Sequence, residues 1–208
     1  MAVEQEMADI YLPEAEDLVE YLPDLDCKEC SFMSCIEFAK AVLETKISPH
    51  KCPELSNELA ETITAIVALN KDLIPYNLMM EQEACQLIEI CNPTPDAPLL
   101  VTANFRETVR IMTEILEQTG TPAFLLPINT HGYSVDNAVH ERMFRAIEVF
   151  KAMNENGVSE KVSRPVLVIP GLASSEKNGI RRLTQWEVLE GPVSGFLVPL
   201  FLKTSFPK

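Results

Sequence analysis

Four cysteines constrain this chain more than any other feature. Cys27, Cys30, Cys35 and Cys52 follow the spacing C-x2-C-x4-C-x16-C, and Pro53 comes directly after the last. Three thiols within nine residues, closed by a distant fourth, suit a cubane iron–sulfur cluster. Each iron takes one soft anionic ligand, so a short loop can serve three corners while the fourth ligand arrives from elsewhere. Proline after that ligand turns the backbone away from the inorganic sulfides. A structural zinc site also takes four cysteines, but it more often pairs two C-x2-4-C knuckles, and only one knuckle is present. The pattern therefore points to a 4Fe–4S cluster first, zinc second and disulfides last.

Composition narrows the class. The chain has 208 residues, long enough for one medium domain and a small one. Its longest apolar runs, such as Phe196–Leu202, are too short to cross a bilayer. Met1–Glu6 is acidic and lacks the basic and apolar regions of a signal peptide. Six cysteines without an export signal imply a reducing compartment, so a cytoplasmic location is expected. The net charge of −14 argues against nucleic acid, whose phosphates call for cationic neutralisation. Residues 1–60 carry 14 acidic and 4 basic side chains, and surplus negative charge beside a cluster disfavours adding an electron. The same acidity can guide a basic protein partner.

The chain reads as two parts and a joint. From Asp9 to about Asn70 the pattern is helical, interrupted for the cysteine loop; Ile36, Ala39 and Leu43 share one face, and Ser56 caps a helix running to Leu69. Asn70–Met80 is irregular and Glu81–Ile90 reads as a further short helix. The Pro-rich run Asn92–Pro98 breaks regularity and marks a boundary. Beyond it, strands at Leu99–Thr102, Ala123–Ile128, Val166–Ile169, Glu187–Leu189 and Phe196–Phe201 alternate with helices at Glu107–Gln118, Val135–Asn154 and Ala173–Leu183. The expected fold is α/β: a small helical cluster domain (1–60), a helical linker (61–97), and a Rossmann-like, mostly parallel sheet with helices on both faces (98–208). Ligands of such sheets bind at the carboxyl ends of the strands. The glycine-rich nucleotide signatures G-x-G-x-x-G and G-x-x-x-x-G-K-[ST] are both absent.

The cysteine motif, with Phe38-Ala39 after its third cysteine, resembles the cluster domain of the corrinoid iron–sulfur protein large (gamma) subunit family of the acetyl-CoA pathway. Residues 98–203 resemble that family's corrinoid-binding domain through Leu100-Val101-Thr102-Ala103-Asn104-Phe105, Gly132-Tyr133-Ser134-Val135, Val168-Ile169-Pro170-Gly171, Trp186-Glu187-Val188-Leu189 and Gly191-Pro192 leading to Phe201-Leu202-Lys203. The chain departs from the family by lacking a central TIM barrel, in whose place stand only residues 61–97. Three single positions also depart: Ser31 replaces a usual glycine, Ala103 a threonine and His131 a glutamate.

The resemblance implies a methyl carrier that binds a cobamide as well as the 4Fe–4S cluster. Cobalt would accept and donate a methyl group, and the cluster would return Co(II) to Co(I). Thr102 and Thr108 would contact the corrin, Gly132, Tyr133, Ser134 and Val135 would cradle the cofactor, and Gly195 would lie against the macrocycle. Ala103, Asn104 and His131 are further candidates. Taken alone, each threonine reads as a strand end or helix start, and Gly132 as a turn. Implied partners are a methyltransferase, methyl-acceptor proteins, a barrel-containing subunit, and a reductive activator or ferredoxin. His131 reads as a loop histidine rather than a cobalt ligand, because Asn129-Thr130-His131-Gly132 departs from Asp-x-His-x-x-Gly. Cys85 and Cys91 read as buried or spare thiols, and Trp186 as core. Two rivals stay open: an iron–sulfur electron-transfer accessory whose α/β domain docks a partner without corrinoid, and an assembly module with structural zinc.

Overall fold

The computed structural model describes residues 11–23, 28–72 and 81–206. They divide into two compact units, one made of residues 81–193 and the other of residues between 11 and 72 joined by 194–206. The architecture is the expected mixture of a helical N-terminal segment and a mostly parallel sheet with helices.

The first unit carries the sheet. Its strands are β1 (Ile88–Ile90), β2 (Leu99–Ala103), β3 (Ala123–Ile128), β4 (Val166–Ile169) and β5 (Glu187–Glu190), in spatial order β1-β3-β2-β4-β5. β1 is antiparallel to β3, and every other pairing is parallel. Every residue of β2, β3 and β4 is buried, as continuous apolar runs in a doubly covered sheet should be. Pleat alternation sends Leu99, Val101, Leu126, Ile128 and Leu167 to one face. There they pack with α5 (Val135–His140), α6 (Ala146–Glu155), α7 (Val158–Lys161) and α8 (Lys177–Thr184) through Ala138, Val149, Val158 and Ile180. The alternate residues, among them Leu100 and Leu125, face the other way, where α4 (Arg106–Gln118) buries Val109, Met112, Ile115 and Leu116. Among the parallel strands the order is second, first, third, fourth, so the chain reverses direction at β2 and opens a crevice beyond its carboxyl end.

The second unit is helical among its described residues: α1 (Ala15–Val19), α2 (Cys35–Leu43), α3 (Asn57–Asp72) and α9 (Val198–Thr204), with 3-10 turns at Pro49–Lys51 and Gly195–Leu197. Ser56 caps α3 as expected, its hydroxyl accepting from Leu59 N at 3.3 Å. In α2 the buried residues are Phe38, Ala39, Ala41 and Val42 rather than Ile36, Ala39 and Leu43. Phe38 is drawn inward and meets the Phe32 ring edge-on at 5.7 Å. α3 packs with α9, and Lys203 Nζ reaches Glu58 Oε1 at 2.6 Å.

Three expected elements differ. Glu81–Ile90 is not a helix: Gln82 bridges antiparallel to Phe105, and Ile88–Ile90 becomes an edge strand because β3 offers it a partner. Val135–Asn154 is two helices; Arg142 adopts φ 55° and swings Phe144 into the core. Burial of one aromatic side chain outweighs helix continuity there. Phe196–Phe201 is not a strand. Pro199 has no N–H for a ladder but suits a first helical turn, and α9 begins around it.

Candidate functional site

The described part of the cysteine segment is built from two short turns and a helix start. Lys28 and Ser31 lie in the left-handed region, at φ 63° and 70°, on either side of Cys30. Ser31 N donates to Lys28 O at 3.1 Å, so the loop folds back on itself at Cys30. The usual glycine at position 31 has a physical reason here, since that conformation strains any residue with a Cβ. Cys35 is the first residue of α2, directly after its cap Ser34, whose hydroxyl accepts from Glu37 N at 3.3 Å. The Glu37 carboxylate accepts in turn from Met33 N, the residue before the cap, at 3.1 Å. Cys52 ends the Pro49–Lys51 turn and is 8% exposed, while Cys30 and Cys35 are half-buried. Cys27 lies outside the described residues. None of the described cysteines forms a disulfide. Among the described residues no three His, Cys, Asp or Glu side chains stand close enough to hold a metal ion. The donor chemistry nonetheless fits a cluster: soft sulfur ligands on one small helical unit, one at a helix N-terminus and one buried.

The α/β unit presents its features at the carboxyl ends of β2 and β3. The segment Glu81–Cys85 runs across those ends as a strap. Glu83 N donates to Asn104 O at 2.8 Å and Arg106 N to Glu81 O at 2.9 Å, and the Arg106 guanidinium pairs with the Glu81 carboxylate. Further on, Asn156 at the end of α6 accepts from Leu87 N at 2.8 Å and donates to Cys85 O at 2.9 Å. Strap, strand ends and α6 enclose a cleft of about 450 Å³ lined by Gln82, Cys85, Asn104, Asn129, Glu148 and Lys151. Burial pushes the Cys85 thiol's pKa up, with Glu155 and Glu148 adding to the shift and the Asn104 amide opposing it.

After β3 the loop Asn129–Ser134 turns through two successive left-handed residues, His131 (φ 57°) and Gly132 (φ 79°). Its amides are spent locally. Thr130 N and Gly132 N donate to Asn104 Oδ1 at 3.0 and 3.2 Å, His131 N to Asn129 Oδ1 at 3.0 Å, and Tyr133 N to Thr130 O at 3.1 Å. Successive backbone N–H groups at a turn can make a concave nest for an anion. Here the Asn104 carbonyl oxygen fills it.

Sequence-derived candidates therefore fall into three groups. Thr102 (3% exposed), Ala103, Asn104, Gly132 and Ser134 are buried, with Ser134 Oγ bonded to Asp136. Thr108, Tyr133 and Val135 are half-buried and His131 is exposed, so these four present side chains at the loop and the α4 start. Gly195 lies in the helical unit, at the start of its 3-10 turn. A cobamide fits this crevice in part: side chains at 108, 131, 133 and 135 are accessible, while the amides of 130–133 already have partners. The strap and the role of Asn104 are not visible in the sequence; the nearest signal is the Asn-Phe pair directly after the β2 run.

The family model for the CO dehydrogenase/acetyl-CoA synthase delta subunit matches residues 78–199, more than half of the chain, and the chain belongs to that family. A second model, described as "Putative Fe-S cluster", matches residues 22–54 and spans all four cysteines of the motif. Among relatives, the acetyl-CoA decarbonylase/synthase complex subunit gamma of Archaeoglobus fulgidus is 35% identical over 118 residues, covering 57% of this chain and 25% of its own length. The corrinoid/iron-sulfur protein large subunit of Moorella thermoacetica is 34% identical over 107 residues, covering 51% and 24%. The chain spans about a quarter of the length of the curated relatives it matches. The resemblance read from the motifs holds, and so does the shortness of this form. No helix among the described residues is long and apolar enough to cross a membrane.

Proposed function

We propose that this chain is a short corrinoid iron–sulfur methyl carrier. The observation that carries the reading is the pairing, on one chain, of a four-cysteine segment with an α/β unit whose strand-end loop keeps Gly132-Tyr133-Ser134-Val135. When bound, a corrinoid supplies a cobalt that accepts and donates a methyl group, and a 4Fe–4S cluster supplies the electron that restores its active state. Cys27, Cys30, Cys35 and Cys52 hold the cluster. Cys35 stands at the first position of α2, directly after the Ser34 cap, so the helix start fixes where its sulfur is presented. Thr108, Tyr133 and Val135 give the cobamide its side-chain contacts, with Thr102, Gly132 and Ser134 shaping the surface beneath them. Loop amides 130–133 stay with their internal partners, so recognition falls to side chains. Partners on this reading are a methyltransferase, a methyl acceptor, a barrel-containing subunit and a low-potential reductant such as ferredoxin.

One observation favours the second reading, an electron-transfer accessory without corrinoid: the strap lies directly on Gly132 and the ends of β2 and β3. Metal analysis separates the two. Anaerobically purified protein, incubated with a cobamide and desalted, should carry about four irons and one cobalt per chain. Iron without cobalt selects the accessory, and zinc without iron removes the redox role.

A further inference from the structure

We infer that Asn104 is a positioning residue: its side-chain amide sets the shape of the Thr130–Tyr133 loop and ties that loop to the Glu81–Cys85 strap, without touching the cofactor itself. The inference rests on the reading of this loop as part of the cobamide site.

Asn104 follows β2 directly and is 2% exposed. Its Oδ1 accepts from Thr130 N and from Thr130 Oγ1, both at 3.0 Å, and from Gly132 N at 3.2 Å. The Thr130 hydroxyl also lies 2.9 Å from Tyr133 O, and its one proton is shared between the two acceptors. Asn104 Nδ2 donates in the opposite direction, to Glu83 O of the strap at 3.3 Å. One primary amide therefore fixes two segments that are 21 and 26–28 residues away in sequence.

The chemistry of the side chain explains why asparagine serves here. The loop presents donors to it, and the strap presents the Glu83 carbonyl as an acceptor with the Cys85 sulfur beside it. A primary amide is the short side chain that offers a carbonyl oxygen on one side and an N–H on the other. Thr130 is fully buried, so its amide has no water to turn to if Asn104 is shortened. Losing the carbonyl would then free His131 and Gly132 to leave their left-handed conformations. The half-buried Tyr133, which packs against the core, and Val135 at the start of α5 would lose the positions this loop gives them. Asn104 reaches the cofactor site through these residues alone.

Asp and Ala at this position separate the two functions. Asn104→Asp keeps an oxygen for the loop and gives up the donor to Glu83 O; Asn104→Ala gives up both. Thr130→Val, which keeps the backbone amide bond and removes the hydroxyl, provides a milder variant should Asn104→Ala fold poorly. Full-length, cluster-loaded protein would be followed by hydrogen–deuterium exchange at the Thr130 and Gly132 amides and by absorbance titration with a cobamide. Asn104→Ala should speed exchange at both amides and weaken cobamide binding, each by roughly tenfold or more, with iron content unchanged. Thr130→Val should do both to a lesser degree. Asn104→Asp should restore slow exchange at the Thr130 and Gly132 amides and most of the cobamide affinity, while exchange at the strap amides quickens because the donor to Glu83 O is gone. Unchanged exchange in Asn104→Ala overturns the inference, and so does faster exchange with unchanged affinity. An Asn104→Asp variant as impaired as Asn104→Ala overturns it as well. A wild-type chain that takes up no cobamide defeats the reading of the site, and the exchange data alone then decide whether Asn104 sets the loop.

Discussion

A Cβ built on Gly132 would stand 2.9 Å from Cγ of Gln82. The strap thus rests on the one loop residue that has no side chain, and Gly132 is fixed twice: by its φ of 79° and by this approach.

Gly132→Ala should therefore destabilise the α/β unit by about 1–3 kcal/mol, read as a lowered urea midpoint. Gln82→Ala removes the offending Cγ. The double variant should recover the steric part and leave the conformational part, roughly 1 kcal/mol. Full recovery would mean that the left-handed φ carries no penalty here.

Position 31 offers the opposite experiment. Ser31 occupies φ 70° between Cys30 and the start of α2, where a glycine relaxes the backbone. Ser31→Gly should stabilise the helical unit by about 0.5–1 kcal/mol, the left-handed penalty less the entropy that glycine adds to the unfolded chain. Denaturant titration of metal-free protein checks this, and a loss of stability would show that the serine side chain makes a contact worth more than the strain.

How far the chain explains itself differs by element. β3 and β4 have the limits read from their apolar runs, Ala123–Ile128 and Val166–Ile169, because burial on both faces writes a continuous hydrophobic signal. The Ser56 cap is equally local. The strap is not local: its bonds to Asn104 and Asn156 span 21 to 71 residues, and its own composition (Glu81-Gln82-Glu83-Ala84) favours a helix. The same holds at the site. Cysteine spacing announces a ligand set before folding, whereas the work of Asn104 exists only once β2, β3 and the strap are assembled. A short apolar run like Phe196–Phe201 carries no periodicity that separates strand from helix, and Pro199 was the available clue.

Cysteine replacements sort the six thiols. Serine at Cys27, Cys30, Cys35 or Cys52 should cut iron to well under half and bleach the visible absorbance of anaerobic protein. Serine at Cys85 or Cys91 should leave both unchanged; Cys91 Sγ sits 3.7 Å from Leu116 O in the sheet unit, and Cys85 lines the cleft there. Iron retained in the Cys52 variant, or lost in the Cys85 variant, would redraw the ligand set.

Tyr21 gives the helical unit an alkaline signature. Partial burial, reinforced by Glu20 and Asp17, raises its phenol pKa from 10.0 to about 12. Above pH 10 the unfolded chain therefore releases this proton while the folded chain keeps it. The folded state then binds more protons than the unfolded, so stability falls as pH rises. The contribution is intact below pH 10 and is lost progressively between 10 and 12. Tyr21→Phe removes the titrating group. Urea midpoints of the two proteins should run parallel up to pH 10 and converge or cross above it, the wild type falling more steeply. Parallel curves through pH 12 would show that the Tyr21 phenol titrates alike in the folded and unfolded chain.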